Sequence, residues 1–573
     1  MIAYKEKPFY LNDEDIEWVE QTLASMALEE KIAQMFCVTD MITDPEALKA
    51  FVRKYPVGSF MYRSGDAAEV QNAQRAMQEA SKIPLLLACN LESGGNGIAA
   101  TGTFFGRQLE AAAARDPKHA YRLGMVCAKE GGATGCNWSF APIVDIDYNW
   151  RNPITNVRTW GSDPDTVIRL SEAYMDGVKD SGETMAVTIK HFPGDGVDER
   201  DQHLLSSVNS LSAEDWENTY GRVYQTLIDK GAQTVMVGHI LQPEMTRKMC
   251  PGIRDEEIFP ASTNKYLITD LLREKMGFNG LVATDATPMV GFSGFLTRRE
   301  AVAKSIMAGA DMIMFCKNID EDFAGVKEDI ENGTISIIRV NEAIRRQLAL
   351  KASLGLHKSK EGGTIVPGAD ALSVIGCAEH IAWAKECADE AITLVKDNQN
   401  LLPLSPNRTK RVRLTVLGEG QGGSFGDGGS ITMPLKEALE KEGFEVALYD
   451  YATMERGEIF TAGAADMKAK FDLSIVAANV ATGSNNTTRR LDWITLMAAN
   501  EPWYTREIPT MFLSFCNPYH MIDVPFISTF VNCYSSNQFC VGAAVEKLMG
   551  RSEFKGVSPV DPWCGDVWGA KFM

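Results

Sequence analysis

The sequence predicts an α/β protein in two parts, a (β/α)8 TIM-type barrel followed by a smaller doubly wound α/β sandwich domain. Three observations predict it. Eight short apolar runs recur through the first 320 residues, amphipathic stretches of helical period separate them, and a second series of strand-like runs begins after residue 410. Continuous apolar strands alternating with helices indicate a parallel sheet covered on its outer face, and eight such units in about 300 residues fit a closed barrel.

In chain order the barrel strands are expected at 35–38 (MFCV), 58–62 (GSFMY), 85–90 (LLLACN), 137–146 (NWSFAPIVDI), 185–192 (MAVTIKHF), 234–240 (TVMVGHI), 280–286 (GLVATDA) and 311–316 (DMIMFC). The stretches 164–179 and 263–276 have helical spacing, and a long amphipathic helix over 340–355 closes the series at Gly355. The polar, glycine-containing segment HKSKEGGTIVPGAD at 357–370 suggests a linker over 357–372. The domains are therefore expected at 1–356 and 373–573. The second begins its strands with RLTVLGEG and continues through FEVALYDY, LSIVAAN, TMFLSFC and FISTFVNCY, with a helix expected at 434–442.

Composition excludes several function classes. A net charge of −19 disfavours nucleic acid as a partner, because phosphate binding needs clustered Lys and Arg. No run of 18 apolar residues and no basic-then-apolar leader occurs, so neither membrane spanning nor secretion is expected. The twelve cysteines, among them Cys37, Cys89, Cys316 and Cys516, lie mostly in apolar runs without a CxxC pair. They read as reduced core residues of a cytoplasmic protein that holds no metal.

In a barrel of this kind the chemistry sits at the C-terminal strand ends. The polar residues there are Asn90, Asp145, Asp147, Lys190, His191, His239 and Asp285. Three of the seven histidines, His191, His203 and His239, crowd around the fifth and sixth strands. The segment KHFPGDGVDERDQH at 190–203 starts at a strand end, runs through Pro193, Gly194 and Gly196 as a flexible loop, and delivers Asp201 and His203 two residues apart. A carboxylate so placed can hydrogen-bond the imidazole, fix its tautomer and raise its basicity, which makes the pair a mobile acid/base unit.

These residues carry a resemblance. FAPIVDI (140–146), NPITNVRTWGSDP (152–164), KHFPG…DQH (190–203), PAST…REKMGFNGLVATDA (260–286) and AGADM (308–312) together resemble glycoside hydrolase family 3, most closely its bacterial β-N-acetylglucosaminidase branch. TLVKDNQNLLPL (393–404) and IPTMFLSFCNPYHMIDVP (508–525) extend it into the second domain. The resemblance implies a retaining, exo-acting β-glycosidase on β-N-acetylglucosaminides or β-glucosides. Asp285 takes the role of nucleophile, His203 of acid/base and Asp201 of its orienting carboxylate. It also implies that Lys190, His191 and Arg158 hold sugar hydroxyls, with Asn90, Glu92, His239 and Asp145 as further substrate-binding residues. No cofactor is implied, inorganic phosphate being a co-substrate only if the enzyme is a phosphorylase. Two departures from the branch stand out. Gly194-Asp195-Gly196-Val197-Asp198 replaces a His and a Thr of its loop, and Asn90 stands where the branch has an aspartate that grips the distal hydroxyls.

Two other classes fit parts of the chain. Gly418-x-Gly420-x-x-Gly423 with Asp450 has the spacing of a dinucleotide turn, but ten residues separate it from the next helix, where a binding turn runs straight into one. A catalytically silent carbohydrate-binding protein is the third reading, which turnover would exclude.

Overall fold

A computed structural model describes residues 2–40, 42–419, 429–449, 461–492 and 502–572. Eight strands close a barrel: β1 (Phe36–Thr39), β2 (Ser59–Met61), β3 (Leu86–Cys89), β4 (Trp138–Ser139), β5 (Ala186–Phe192), β6 (Thr234–Val237), β7 (Leu281–Ala286) and β8 (Met312–Met314). Each pairs in parallel with its neighbours in sequence, and β8 returns to β1. Every expected run overlaps its strand, β1 extending one residue beyond its run. The physical reason is burial: all residues of β3 and of β5 are shielded, as a strand packed on both faces requires. Trp138 lies inside the wall, its indole N–H donating to Thr234 Oγ1 at 3.0 Å and its ring edge-on to Phe140.

The start of β8 is pinned by charge. Asp311 is buried and accepts from Arg273 and Arg339 at 2.5 Å each and from the Val282 N–H at 2.9 Å. The helix Ile337–Ser353, capped by the Ser336 hydroxyl, supplies Arg339 and also Lys351, whose ammonium is fully buried against Gln34 Oε1 at 2.7 Å.

Six further strands form a separate mixed sheet: β9 (Thr393–Asp397), β10 (Arg411–Leu417), β11 (Glu445–Leu448), β12 (Leu473–Asn479), β13 (Thr510–Phe515) and β14 (Thr529–Asn532). Their order is β9-β14-β13-β12-β10-β11, with β9 antiparallel to β14 and the rest parallel. Five were expected; β9 was not. It leads directly out of the helix Ala378–Ala391, and its polar end, Lys396-Asp397, blurs the strand pattern.

The chain divides into two compact units that differ from the contiguous segments expected. Residues 105–119 and 150–163 belong with 382–573, and the first unit runs on to Ile381. The stretch expected as a linker contains the helix Leu356–Glu361 and a 3-10 segment Ala369–Val374, both within the first unit. Gly355 adopts the left-handed conformation that ends the preceding helix, as expected.

Candidate active site

The C-terminal ends of β3, β4, β5, β6 and β7 carry the polar residues of the site. Asp285 ends β7 with its carboxylate buried. Its Oδ1 accepts the Ala286 N–H at 2.7 Å, while Oδ2 has no hydrogen-bond partner among the described residues and lies 3.9 Å from His191 Nε2. Burial pushes this carboxyl upward, but the charges of His191, His239 and His203 and the Ala286 N–H outweigh it and hold the group down at about 2. An ionised oxygen with an uncommitted lone pair, at the end of a rigid strand, is what a carboxylate nucleophile requires.

His191 is oriented by Asp145. Asp145 Oδ2 accepts from His191 Nδ1 at 2.7 Å, and its Oδ1 accepts the N–H groups of His191 and Asp195 at 3.0 and 2.8 Å. Asp145 therefore directs both carboxylate oxygens to the protein, as the group that aims the imidazole. Lys190 donates to Glu92 Oε1 at 2.7 Å in a buried ion pair that joins the ends of β5 and β3. Asn90 follows β3 directly.

His239 is bonded within the protein in the same way. Its Nε2–H donates to the Ala286 carbonyl at 3.0 Å and its Nδ1 accepts from the Ser262 hydroxyl at 2.8 Å. Both ring nitrogens serve the protein. Burial pushes its imidazole down to about 4, so at neutral pH it is an uncharged brace for the peptide after Asp285.

Asp201 and His203, the two residues of the D-x-H spacing, are hydrogen-bonded to each other. Asp201 Oδ1 accepts both the His203 N–H at 2.9 Å and His203 Nδ1 at 2.6 Å, which leaves Nε2 as the imidazole's outer nitrogen. Asp201 is buried and the His203 side chain 23% exposed. The loop that carries them is tied at many points, unlike the flexible loop expected. Asn149 donates to the Gly196 carbonyl at 2.8 Å, Tyr220 to the Asp195 carbonyl at 2.6 Å, and Trp216 to the Pro193 carbonyl at 2.7 Å. Gly194 is obligatory here, since its φ is +115° and a Cβ would stand 2.0 Å from the Tyr220 ring. At the far end Val290 N–H donates to the His203 carbonyl and Gly291 N–H to the Gln202 carbonyl, both at 3.1 Å. A side chain at Gly291 would collide with the Gln202 carbonyl at 2.6 Å.

Glu130 is a residue the sequence reading missed. Fully buried, it accepts from the Thr103 N–H and hydroxyl at 2.7 and 2.6 Å, from the Gly376 N–H at 3.2 Å and from His380 Nδ1 at 2.7 Å. It thereby anchors the loop that leaves β3 after Glu92. Arg158 lies in the second unit, in the 3-10 turn Asn156–Arg158, and donates to the Ile154 carbonyl at 3.1 Å.

Residues 27–350 match the model of the glycosyl hydrolase family 3 N terminal domain. The chain belongs to this family. Among family 3 relatives it is 41% identical to a beta-N-acetylglucosaminidase/beta-glucosidase of Cellulomonas fimi, over 99% of each chain. It is similar to the solved beta-glucoside phosphorylase BglX, also solved with 2FGlc bound, at 45% identity, 99% coverage of each chain and a TM-score of 0.92. A family 3 beta-N-acetylglucosaminidase from Paenibacillus, 22% identical with a TM-score of 0.79 over 94% of this chain and 99% of its own, shares the fold.

The dinucleotide reading fares differently. Gly420, Gly423 and Asp450 lie outside the described residues. The N-terminus of the helix Thr432–Lys441, where a pyrophosphate would sit, is instead capped by the Glu419 carboxylate, which accepts the N–H groups of Ile431 and Thr432 at 2.5 and 3.2 Å. Among the described residues no cluster of three or more His, Cys, Asp or Glu could hold a metal ion, and no helix is long and apolar enough to cross a membrane.

Proposed function

We propose that this family 3 chain is an exo-acting enzyme that cleaves β-glycosides with net retention through a sugar ester on Asp285. The observation that carries the reading is the state of Asp285 Oδ2, ionised and uncommitted at the end of β7. In the first step Oδ2 bonds to the anomeric carbon as the glycosidic bond breaks. The proton on His203 Nε2 passes to the leaving oxygen, and Asp201 stabilises the imidazolium beforehand and keeps its ring oriented. In the second step the neutral imidazole takes a proton from the acceptor as it displaces Asp285, and two inversions give retention.

Lys190, Glu92, His191 and Asn90 are assigned to the sugar hydroxyls. The sugar itself is a β-glucoside or a β-N-acetylglucosaminide, the two donors that the name of the Cellulomonas fimi relative joins. Release of 4-nitrophenol from either aryl glycoside, abolished in Asp285→Ala, tests the reading against a silent binding protein. No cofactor is assigned, and the twelve free thiols support a cytoplasmic setting.

The acceptor has two readings. Water makes the enzyme a hydrolase. Hydrolysis is the lead; inorganic phosphate is supported by the assignment of an imidazole rather than a carboxylate as acid/base, which takes one negative charge from the path of a dianion, while Asp201, Asp195 and Asp198 keep theirs on the same loop. Two unit charges about 4 Å apart interact by roughly 4 kcal/mol at an effective dielectric near 20. The 45% identical relative, a beta-glucoside phosphorylase, points the same way. Phosphate-dependent formation of a β-sugar 1-phosphate decides for phosphorolysis; free sugar at a phosphate-independent rate decides for hydrolysis.

A further inference from the structure

The residues immediately beyond His203 are unusual for a surface. Leu204 and Leu205 are 36% and 40% exposed, although their N–H groups are both fixed on the Asp201 carbonyl at 3.0 and 3.1 Å. Next to His203 on the other segment is Val290, 47% exposed, whose own N–H is bonded to the His203 carbonyl. Two segments distant in sequence are thus locked together by main-chain bonds, and three partly exposed aliphatic residues adjoin the peptide that carries His203.

We infer that Leu204, Leu205 and Val290 form an apolar subsite for the leaving group, so that the substrates are β-glycosides of hydrophobic alcohols rather than of other sugars. This rests on the reading of His203 as the proton donor and Asp285 as the nucleophile. The donor must reach the glycosidic oxygen, so the group attached to that oxygen extends from the sugar past His203, where these side chains lie. A sugar in that position presents hydroxyls that need hydrogen-bond partners, whereas Leu204, Leu205 and Val290 offer only aliphatic surface. A second copy of the chain is the poorer occupant, because three partly exposed side chains fall far short of the ~800 Å² per partner of a stable interface.

The test uses the full chain and a series of methyl, butyl and octyl β-glycosides of the donor sugar selected by the aryl assay. Their leaving groups are similarly basic and differ in apolar length. The glycosyl fluoride is the control, since fluoride departs without a proton and does not reach the subsite. In the wild type kcat/KM should rise roughly twofold per added methylene over the first few, about half the effect of complete burial. The triple variant Leu204→Ser, Leu205→Ser, Val290→Ser should flatten that rise and leave fluoride turnover unchanged. A wild-type series without slope overturns the inference, as does a slope that survives in the variant. Concentration-dependent self-association that the variant abolishes, with the slope intact, overturns it in favour of a subunit contact. Wild-type protein that does not turn over the fluoride strikes at Asp285 itself, and the inference falls with it.

Discussion

Asp201 holds His203 twice with one oxygen, at the backbone N–H and at the ring Nδ1. The carboxylate therefore sets both the position of the residue and the tautomer of its ring. Asp201→Ala should lower kcat/KM for alkyl glycosides by about 10²–10⁴ while changing kcat/KM for the glycosyl fluoride little, because kcat/KM reports departure of the leaving group and only the former need a proton there. Equal losses on the two substrates would remove Asp201 from proton transfer.

Asp285 is held down at about 2, so its charge is present throughout the neutral range. Trapping by a 2-fluoro sugar with an activated leaving group, which needs no proton, should proceed at a constant rate from neutral pH to about pH 4. Peptide mapping should find the label on Asp285. The depressed carboxyl also contributes stability above its unfolded value near 3.9, and that contribution is lost as pH falls through about 2.

Lys351 gives the opposite slope. Burial pushes its ammonium down to about 7, and its hydrogen bond is to the neutral Gln34 amide. Its unfolded value is near 10.4, so the folded state binds fewer protons and stability should rise with pH between about 7 and 10, the full cost applying below 7. That cost is of order a few kcal/mol. Lys351→Met, which leaves Gln34 Oε1 unpaired at about 1–3 kcal/mol, should still raise the urea midpoint at pH 6 and lose its advantage by pH 10. A difference independent of pH would show that the lysine is charged in place.

Glu130→Gln tests the loop that leaves β3. The amide keeps the shape but turns a donor toward the Thr103 N–H or hydroxyl, which costs about 1–3 kcal/mol of stability. If Glu130 positions Glu92, KM should rise roughly tenfold with kcat less affected, the pattern of lost uniform binding. An unchanged KM in a destabilised protein would assign it to folding alone.

The barrel was legible in the sequence because a strand buried on both faces leaves a continuous apolar run, and the D-x-H and TDA spacings put Asp201, His203 and Asp285 in view. What escaped notice shares one cause. A polar side chain at a strand end reads the same whether its atoms point to solvent or to the interior, so the bonds by which Asp145 and His239 brace His191 and the Ala286 peptide were not legible. A buried glutamate on a helix, such as Glu130, is spelled like an exposed one. The ties that hold the 190–203 loop run largely to main-chain carbonyls, which every residue possesses, and the glycines that permit them suggested freedom where they allow close approach.

The two bonds from Val290 and Gly291 to the carbonyls of His203 and Gln202 join the residue proposed as proton donor to the segment that follows Asp285. They are made by peptide groups, so they are blind to which side chains stand at 204, 205 and 290. The spacing between His203 and Asp285 is thereby insulated from the surface proposed to meet the departing alcohol. Natural variation or a laboratory library can rewrite that surface for a new class of aglycone without retuning the chemistry beside it.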